Sequence, residues 1–344
     1  MLTPPMEPML ARSSPSIPDG EGWLYEPKWD GFRTIAYIDG NEIFLESRGG
    51  RPLGRYFPEL VTGIPNAVRS RCVLDGEIVI MGPAGLAFDS LQMRLHPAES
   101  RVRRLSAEIP ASFVAFDILA EGEEDLRPAP LATRRLRLER LLASVRPPVF
   151  MTPATTDSAT AADWFQRFEG AGFDGIIAKR LDGAYQPGVR GWTKIKHLRT
   201  ADCVVGGFRW LKDNEGVAVG SLLLGLYGPD GTFHHVGHTS SFSAKEKREL
   251  VAFLEPYLAS NPGEGFGAGR TPGTPSRWTQ GKDAGWVRLR PELVCEVTFD
   301  YLQGMRMRHA AAFRRWRPDK PPAACGFDQF EAPIPAELRA VFES

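Results

Sequence analysis

Long apolar runs are missing from this chain. No stretch approaches the roughly 20 apolar residues that a membrane-spanning helix needs. Met1 to Leu10 holds three prolines where a secretory leader would hold a continuous apolar segment. A soluble, cytoplasmic protein is expected. Cysteine is scarce: Cys72, Cys203, Cys295 and Cys325 lie far apart and never as C-x-x-C. That argues against a zinc module and fits buried thiols in a reducing compartment. Net charge is also lacking, since 42 Lys and Arg balance 42 Asp and Glu. No global field draws such a protein onto a polyanion, so any binding of that kind must rest on local patches. Internal repeats and heptads are absent.

What is present is enough for ordinary cores, with 42% apolar and 24% charged residues in a 344-residue chain. That length suggests two domains. Residues 34–38 and 42–46 alternate as strands about an Asp39-Gly40 turn. Residues 72–81 and 113–119 are further strands, the first carrying Asp75-Gly76-Glu77 and the second Phe116-Asp117. Leucines at helical spacing among arginines mark residues 131–145 as an amphipathic helix. Asp157 opens another helix, which Gly170 or Gly172 ends. Short strands follow at 176–179 and 192–197. Strands succeed one another without regular helical crossovers, so residues 1–199 are expected to form an α+β domain on a largely antiparallel sheet. Past a boundary at 198–202 come strands at 203–210, 217–227, 233–239, 292–301 and 306–316, with one helix at 243–258. These fit an all-β barrel of the OB-fold type over residues 200–344. Residues 260–285, rich in glycine and proline, read as a mobile surface loop.

The densest chemistry lies at Glu26-Pro27-Lys28-Trp29-Asp30-Gly31-Phe32-Arg33, which has the order K-x-D-G-x-R. A lysine that attacks phosphorus must lose its proton near neutral pH, and neighbouring cations lower an ammonium pKa. Arg33 is expected to supply that field, together with Lys194 and Lys196. Gly31 is expected to let the backbone approach a nucleotide, and Asp30 to orient the lysine and arginine. Lys194 and Lys196 stand two apart on one strand and share a face.

In this order the motifs resemble those of the covalent nucleotidyltransferase superfamily of ATP-dependent DNA ligases, RNA ligases and mRNA capping enzymes. Lys28 to Arg33 is similar to the nucleophile motif. Ser47-Arg48-Gly49-Gly50, Asp75-Gly76-Glu77, Phe116-Asp117, Asp174-Gly175-Ile176-Ile177-Ala178-Lys179 and Trp192-Thr193-Lys194-Ile195-Lys196 resemble the next five. Arg315-Trp316-Arg317-Pro318-Asp319-Lys320 resembles the last. The likeness covers residues 7–328 and is closest to compact bacterial ATP-dependent ligases of the ligase C type, then to the ligase domain of ligase D. It implies a DNA repair enzyme that seals nicks between 5′-phosphate and 3′-hydroxyl ends through a lysyl-AMP intermediate, with ATP as cofactor. It implies Lys28 as nucleophile, Glu26 as reader of the adenine amino group, and Phe116 stacked on the base. Arg33 and Arg48 would face the nucleotide, Lys194 and Lys196 the α-phosphate. Glu77 would touch the ribose or a divalent metal, Mg²⁺ or Mn²⁺, with Asp174 as second metal carboxylate. Asp174 stands where the family usually has glutamate, one methylene longer, so its metal contact would pass through water. Arg315, Arg317, Asp319 and Lys320 would form a lid that engages pyrophosphate.

Two segments are locally basic. Between residues 305 and 320, Arg306, Arg308, Arg314, Arg315, Arg317 and Lys320 face Asp319 alone; between 187 and 199, Arg190, Lys194, Lys196 and Arg199 face no acid. Strands of this kind suit phosphate-backbone contact, and Arg48, Arg308 and Arg314 are the expected contacts to nicked double-stranded DNA. Residues 198–202 are the candidate hinge, and a monomer is expected. The alternatives are an RNA ligase, a capping-type guanylyltransferase and, in another class, a non-catalytic OB-type nucleic-acid binder. Intact Lys28, Glu77, Lys194 and Lys196 weigh against the binder. An NAD-dependent ligase would carry a four-cysteine zinc module that these cysteines do not make.

Overall fold

The alternation on either side of Asp39-Gly40 closes into a hairpin, paired from Asp39↔Glu42 to Thr34↔Ser47, with Gly40 at φ +62° in a conformation glycine adopts freely. This is a computed structural model; it describes residues 2–82, 85–167, 173–196, 199–261, 265–266, 272, 285–300 and 302–330. The chain divides into one unit within Met1–His197 and another within Leu198–Glu331.

In the first unit the principal strands are β1 (Ala11–Ser13), β2 (Trp23–Pro27), β3 (Phe32–Asp39), β4 (Glu42–Ser47), β5 (Cys72–Val79), β6 (Ser112–Glu121), β7 (Val149–Met151), β8 (Gly175–Arg180) and β9 (Trp192–Lys196). One sheet has the order β1-β9-β8-β2, the other β7-β6-β5-β3-β4. Only the pairs β1–β9 and β7–β6 along these two orders are parallel. β3 is apolar on both faces and buries both. Ala36 and Ile38 join a core with Leu60 and Ile64 of helix α1 (Pro58–Ala67), while Ile35 and Tyr37 pack with Met9, Phe116 and Trp192. The second cluster draws on both sheets, so the space between them is where the site forms.

Helix α1 and helix α2 (Glu99–Glu108) lie outside the elements expected from pattern. α1 carries Gly63 and Pro65, poor helix formers, and its burial stabilises it where propensity does not. Helix α3 (Leu131–Leu142) buries Leu131, Leu138 and Leu142 as its spacing demands, and also Arg134. The Arg134 guanidinium meets Asp117 of β6 at 2.8 and 3.0 Å, with both side chains fully buried. Helix α4 (Ser158–Arg167) starts where Asp157 accepts the Ala159 and Thr160 N–H groups; its expected stop at 170–172 lies outside the described residues.

The second unit contains β10 (Arg199–Trp210), β11 (Val219–Tyr227), β12 (Phe233–Thr239), helix α5 (Ala244–Leu254), β13 (Val287–Arg288), β14 (Val294–Phe299), β15 (Arg306–Met307) and β16 (Ala312–Trp316). Its antiparallel order is β12-β11-β10-β14-β16, with β13 also on β10. A capping box between Ser243 and Glu246 begins α5. This is the OB-type barrel with its interposed helix. Two details differ from expectation. Residues 199–202, placed in the candidate hinge, are paired with Phe299 to Glu296 inside a strand. The last expected strand is broken into β15 and β16. Most of the glycine- and proline-rich segment 260–285 lies outside the described residues.

Candidate active site

β8 organises the site. It pairs with β2 on one side and β9 on the other, in the registers Glu26↔Ile177↔Lys194 and Pro27↔Ile176↔Ile195. Facing positions of a sheet point the same way, so Glu26 and Lys194 stand on one wall, a residue apart. That wall belongs to a cavity of about 200 Å³ whose lining includes Glu26, Lys28, Arg33, Arg48, Glu77, Phe116 and Lys194. Seven residues chosen in or beside five separate motifs therefore meet in one place.

Lys28 follows β2 directly. Its N–H donates to the Gly175 carbonyl at 2.8 Å, and its own carbonyl accepts from the Asp174 N–H at 3.2 Å. Lys28 Nζ lies 2.9 Å from Asp174 Oδ2, and Lys196 Nζ lies 2.5 Å from the same oxygen. Burial alone would raise the Asp174 pKa, but the two ammonium groups outweigh it and hold the carboxyl below its ordinary value. Gly175 sits at φ +128°, and a Cβ there would come within 1.9 Å of the Ile195 carbonyl oxygen, so only glycine follows Asp174. The nucleophile candidate is thus held by an acid as well as flanked by cations, and Asp174 reaches Lys28 with an oxygen already shared by two lysines.

Arg33 is committed elsewhere. Its guanidinium binds Asp75 at 2.5 and 2.6 Å and lies 4.5 Å from the Phe116 ring centre and 4.9 Å from that of Trp192. Burial would lower its pKa, yet Asp75 raises it above the usual arginine range. Tyr185 donates to the same Asp75 at 2.6 Å and accepts from the Met9 N–H at 2.9 Å, so the segment Pro8–Ala11 is tied into the cavity wall. Gly31 is also explained differently from expectation. A Cβ there would sit 2.2 Å from the Ile78 carbonyl oxygen and 2.9 Å from Glu77 Cγ, so the glycine lets β5 come close. The Gly31 N–H in turn donates to Glu77 Oε1 at 3.1 Å. Burial pushes Glu77 up to about 7, against the opposing pull of Arg33 and Lys28.

At the apolar end, buried Glu26 binds Lys179 Nζ at 2.6 Å through Oε2. Its Oε1 is 3.6 Å from Arg135 Nη1, beyond hydrogen-bond reach, and has no hydrogen-bond partner. Burial raises the Glu26 pKa, with Lys179 and Arg135 opposing. A buried carboxylate oxygen on a cavity wall without a donor is an acceptor awaiting one. Phe116 is 6% exposed, packed edge-on against Trp192, and Lys179 Nζ lies 4.7 Å from its ring centre.

Three cations on the wall, Arg48, Arg190 and Lys194, have no acidic partner among the described residues. Arg48 is presented by a turn in which the Gly50 N–H donates to the Ser47 carbonyl at 2.9 Å and the Arg51 N–H to Ser47 Oγ at 3.0 Å. Lys194 has its pKa lowered by burial first, then by Lys196, Lys28 and Arg190. The basic segment of the barrel is the reverse. Arg315 and Arg314 share Glu296, at 2.7 and 3.9 Å. Arg317 binds both Asp319 and Asp202, at 2.8 Å each, and Lys320 lies 3.6 Å from Asp202. Four of the cations counted along residues 305–320 are thus met by acids, Glu296 and Asp202 from distant strands and Asp319 from the same turn.

A family model for the ATP dependent DNA ligase domain matches residues 8–196, and one for the ATP dependent DNA ligase C terminal region matches residues 215–320. The chain belongs to the ATP-dependent DNA ligase family. DNA ligase C of Mycobacterium tuberculosis is 49% identical over 349 residues, covering 98% of this chain and 97% of the relative. DNA ligase C2 of Mycolicibacterium smegmatis is 48% identical over 342 residues, covering 96% of each. In fold, the chain is similar to a Lig E DNA ligase structure with a TM-score of 0.53 at 18% identity, over 90% of this chain and 99% of that one. The ligase is an ATP-using enzyme that forms phosphodiester bonds, and the guanylyltransferase, RNA ligase and non-catalytic binder readings fall away.

Motif reading did not single out Met9, Lys179, Tyr185 or Trp192 for the site, and it counted Arg190 only as part of a basic segment. Lys179 and Trp192 lay inside quoted motifs, so strand parity could have drawn them in. Met9 and Tyr185 carry no local signal, since a hydroxyl bridging to Asp75 across 110 residues is visible only in the fold.

Proposed function

We propose that Lys28 is the nucleophile with which this ligase takes AMP from ATP, and that its substrate is nicked double-stranded DNA. The Nζ lone pair forms a bond to the α-phosphorus, the bond to the pyrophosphate oxygen breaks, and the amine gives up a proton. Asp174 Oδ2, 2.9 Å away, is the nearest group able to hold that proton or steer the amine. AMP then passes from Lys28 to the 5′-phosphate of the nick, and attack by the 3′-hydroxyl closes the backbone with loss of AMP.

The observation that carries this reading is the uncompensated trio Arg48, Arg190 and Lys194 beside Lys28, with the unpartnered Glu26 oxygen elsewhere on the same wall. Cations without acids favour phosphates, and fixed cations stabilise charge that develops on phosphoryl oxygens. Glu26 Oε1 is placed to accept from an exocyclic amine, as adenine has and hypoxanthine lacks. Phe116 supports the base, and Arg33, anchored by Asp75, braces that ring.

Among the described residues no three His, Cys, Asp or Glu side chains converge on a metal. The donors fit a hard cation that keeps waters and takes phosphate oxygens, with Glu77 as its protein anchor and Asp174 entering only if a lysine releases it. Such an ion, Mg²⁺ or Mn²⁺, would neutralise charge on the phosphates. Arg315, Arg317, Asp319 and Lys320 serve pyrophosphate departure once the bonds of Arg317 and Lys320 to Asp202 open. The ligase acts as a monomer.

Denaturing gels after incubation with α-labelled ATP, GTP or labelled NAD and Mg²⁺ test this reading. Label is expected from ATP alone, lost in acid, and absent in Lys28→Ala. Label from GTP, or retained label in the variant, would refute it.

A further inference from the structure

Strand β1 is three residues long and stands at the edge of its sheet, paired with β9 in the parallel registers Ala11↔Trp192 and Ser13↔Lys194. So short an edge strand has few ladder bonds to fix its place. Its position depends on what holds the residues before it, and two pegs do so. At Met6 the N–H donates to Glu46 Oε2 at 3.1 Å, and the Tyr37 hydroxyl donates to the same oxygen at 2.8 Å. At Met9 the N–H donates to the Tyr185 hydroxyl, while the Met9 carbonyl accepts from Arg33 Nη2 at 3.3 Å. Tyr185 in turn donates to Asp75 Oδ2, the oxygen that binds Arg33 Nη2. The four residues close a ring that runs from Met9 through Tyr185, Asp75 and Arg33 back to Met9. Asp75 and Tyr185 are both buried. Burial first, then the Asp75 carboxylate, push the Tyr185 phenol well above its ordinary pKa, so it stays a donor.

The same segment reaches other cations of the wall. The Leu10 N–H donates to the Val189 carbonyl at 2.8 Å, next to Arg190, and the Ser14 N–H to the Lys194 carbonyl at 3.0 Å. Pro8 to Ala11 themselves line the cavity. A shift of this segment would therefore alter the spacing of Arg33, Arg190 and Lys194 together. Lys28 is held independently, by its backbone bonds to Gly175 and Asp174. We propose that residues 6–14 are a positioning strap for the nucleotide, and that Tyr185 is the positioning residue that locks the strap to Arg33. The strap sets affinity for ATP and leaves the reactivity of Lys28 toward bound ATP unchanged. A phenylalanine at 185 fills the same space but leaves the Met9 N–H without its acceptor and Asp75 without one of its donors. Strap and Arg33 then lose their common anchor.

The proposal rests on the reading of Lys28 as nucleophile, and the test separates the two. The full chain, freed of AMP with pyrophosphate, is loaded in single turnover with α-labelled ATP and Mg²⁺ across ATP concentrations, below the unfolding midpoint of each variant. Tyr185→Phe should raise the half-saturating ATP concentration by about threefold to tenfold, the size of one hydrogen bond, with the maximal rate close to that of wild type. Glu46→Leu should shift it in the same direction, and Glu46→Gln, whose amide oxygen can still accept from Met6, should restore it. In Asp75→Asn the ring is already weakened, so adding Tyr185→Phe should cost far less than it does in wild type. Three results would overturn the strap: an unchanged half-saturating concentration in Tyr185→Phe or in Glu46→Leu, a loss of maximal rate alone, or full additivity with Asp75→Asn. Absence of label from wild type would instead refute the nucleophile.

Discussion

Two sets of cations in this ligase differ in what answers them. Around the cavity of the first unit, Arg48, Arg190 and Lys194 have no acid partner among the described residues. On the barrel strand β16 and the turn after it, Arg314, Arg315, Arg317 and Lys320 are met by Glu296, Asp202 and Asp319. Equal counts of arginine and lysine in a sequence therefore mean different things. A cation paired at home holds structure, or waits for a switch. One left unpaired in a concave wall is positioned for an anion from outside.

The largest effect that sharpens this contrast falls on the unpaired set. Arg190→Ala or Lys194→Ala is expected to slow AMP loading by about 10²-fold, as when one donor to a developing oxyanion is removed, with little change in unfolding midpoint. A variant that loads normally would erase the distinction. Next comes a paired and buried cation. Arg134→Ala leaves Asp117 buried without its partner and should cost about 3–5 kcal/mol in urea unfolding, with activity following the folded fraction.

The third concerns a carboxyl. Burial lifts Glu77 to about 7 from a reference value of 4.5. Between those limits the native state binds a proton that the unfolded chain has lost. The stabilising contribution of this group is therefore full below about 4.5 and falls away as pH rises through 7. In EDTA, Glu77→Gln should flatten that decline; an identical pH profile would show that the carboxyl does not titrate there. The smallest effect belongs to the exposed pair. Arg315→Ala should cost no more than about 1 kcal/mol and leave the salt slope of nick binding unchanged.

Much of the site was legible because its chemistry is carried by strands. Alternation and turn residues placed Glu77, Phe116 and Lys194 on β-elements, and strand parity set Lys194 and Lys196 on one face, whereas the strand that ends just before Lys28 was not expected. What escaped was non-local. That Arg317 meets Asp202, or that Glu296 faces Arg315, follows from the registers of β10, β14 and β16, which no window of sequence contains. The same holds for Lys28, whose expected surroundings of cations include Asp174, a residue 146 positions away. Helix α1 escaped for a different reason: its glycine and prolines speak against a helix that packing nonetheless enforces.

Peptide mapping by mass spectrometry after exposure to ATP and Mg²⁺ tests the nucleophile most directly. The expected result is one adenylyl group, on the peptide containing Lys28 and bonded to that side chain. No adduct, or an adduct on Lys194 or Lys196 with Lys28 unmodified, would contradict it.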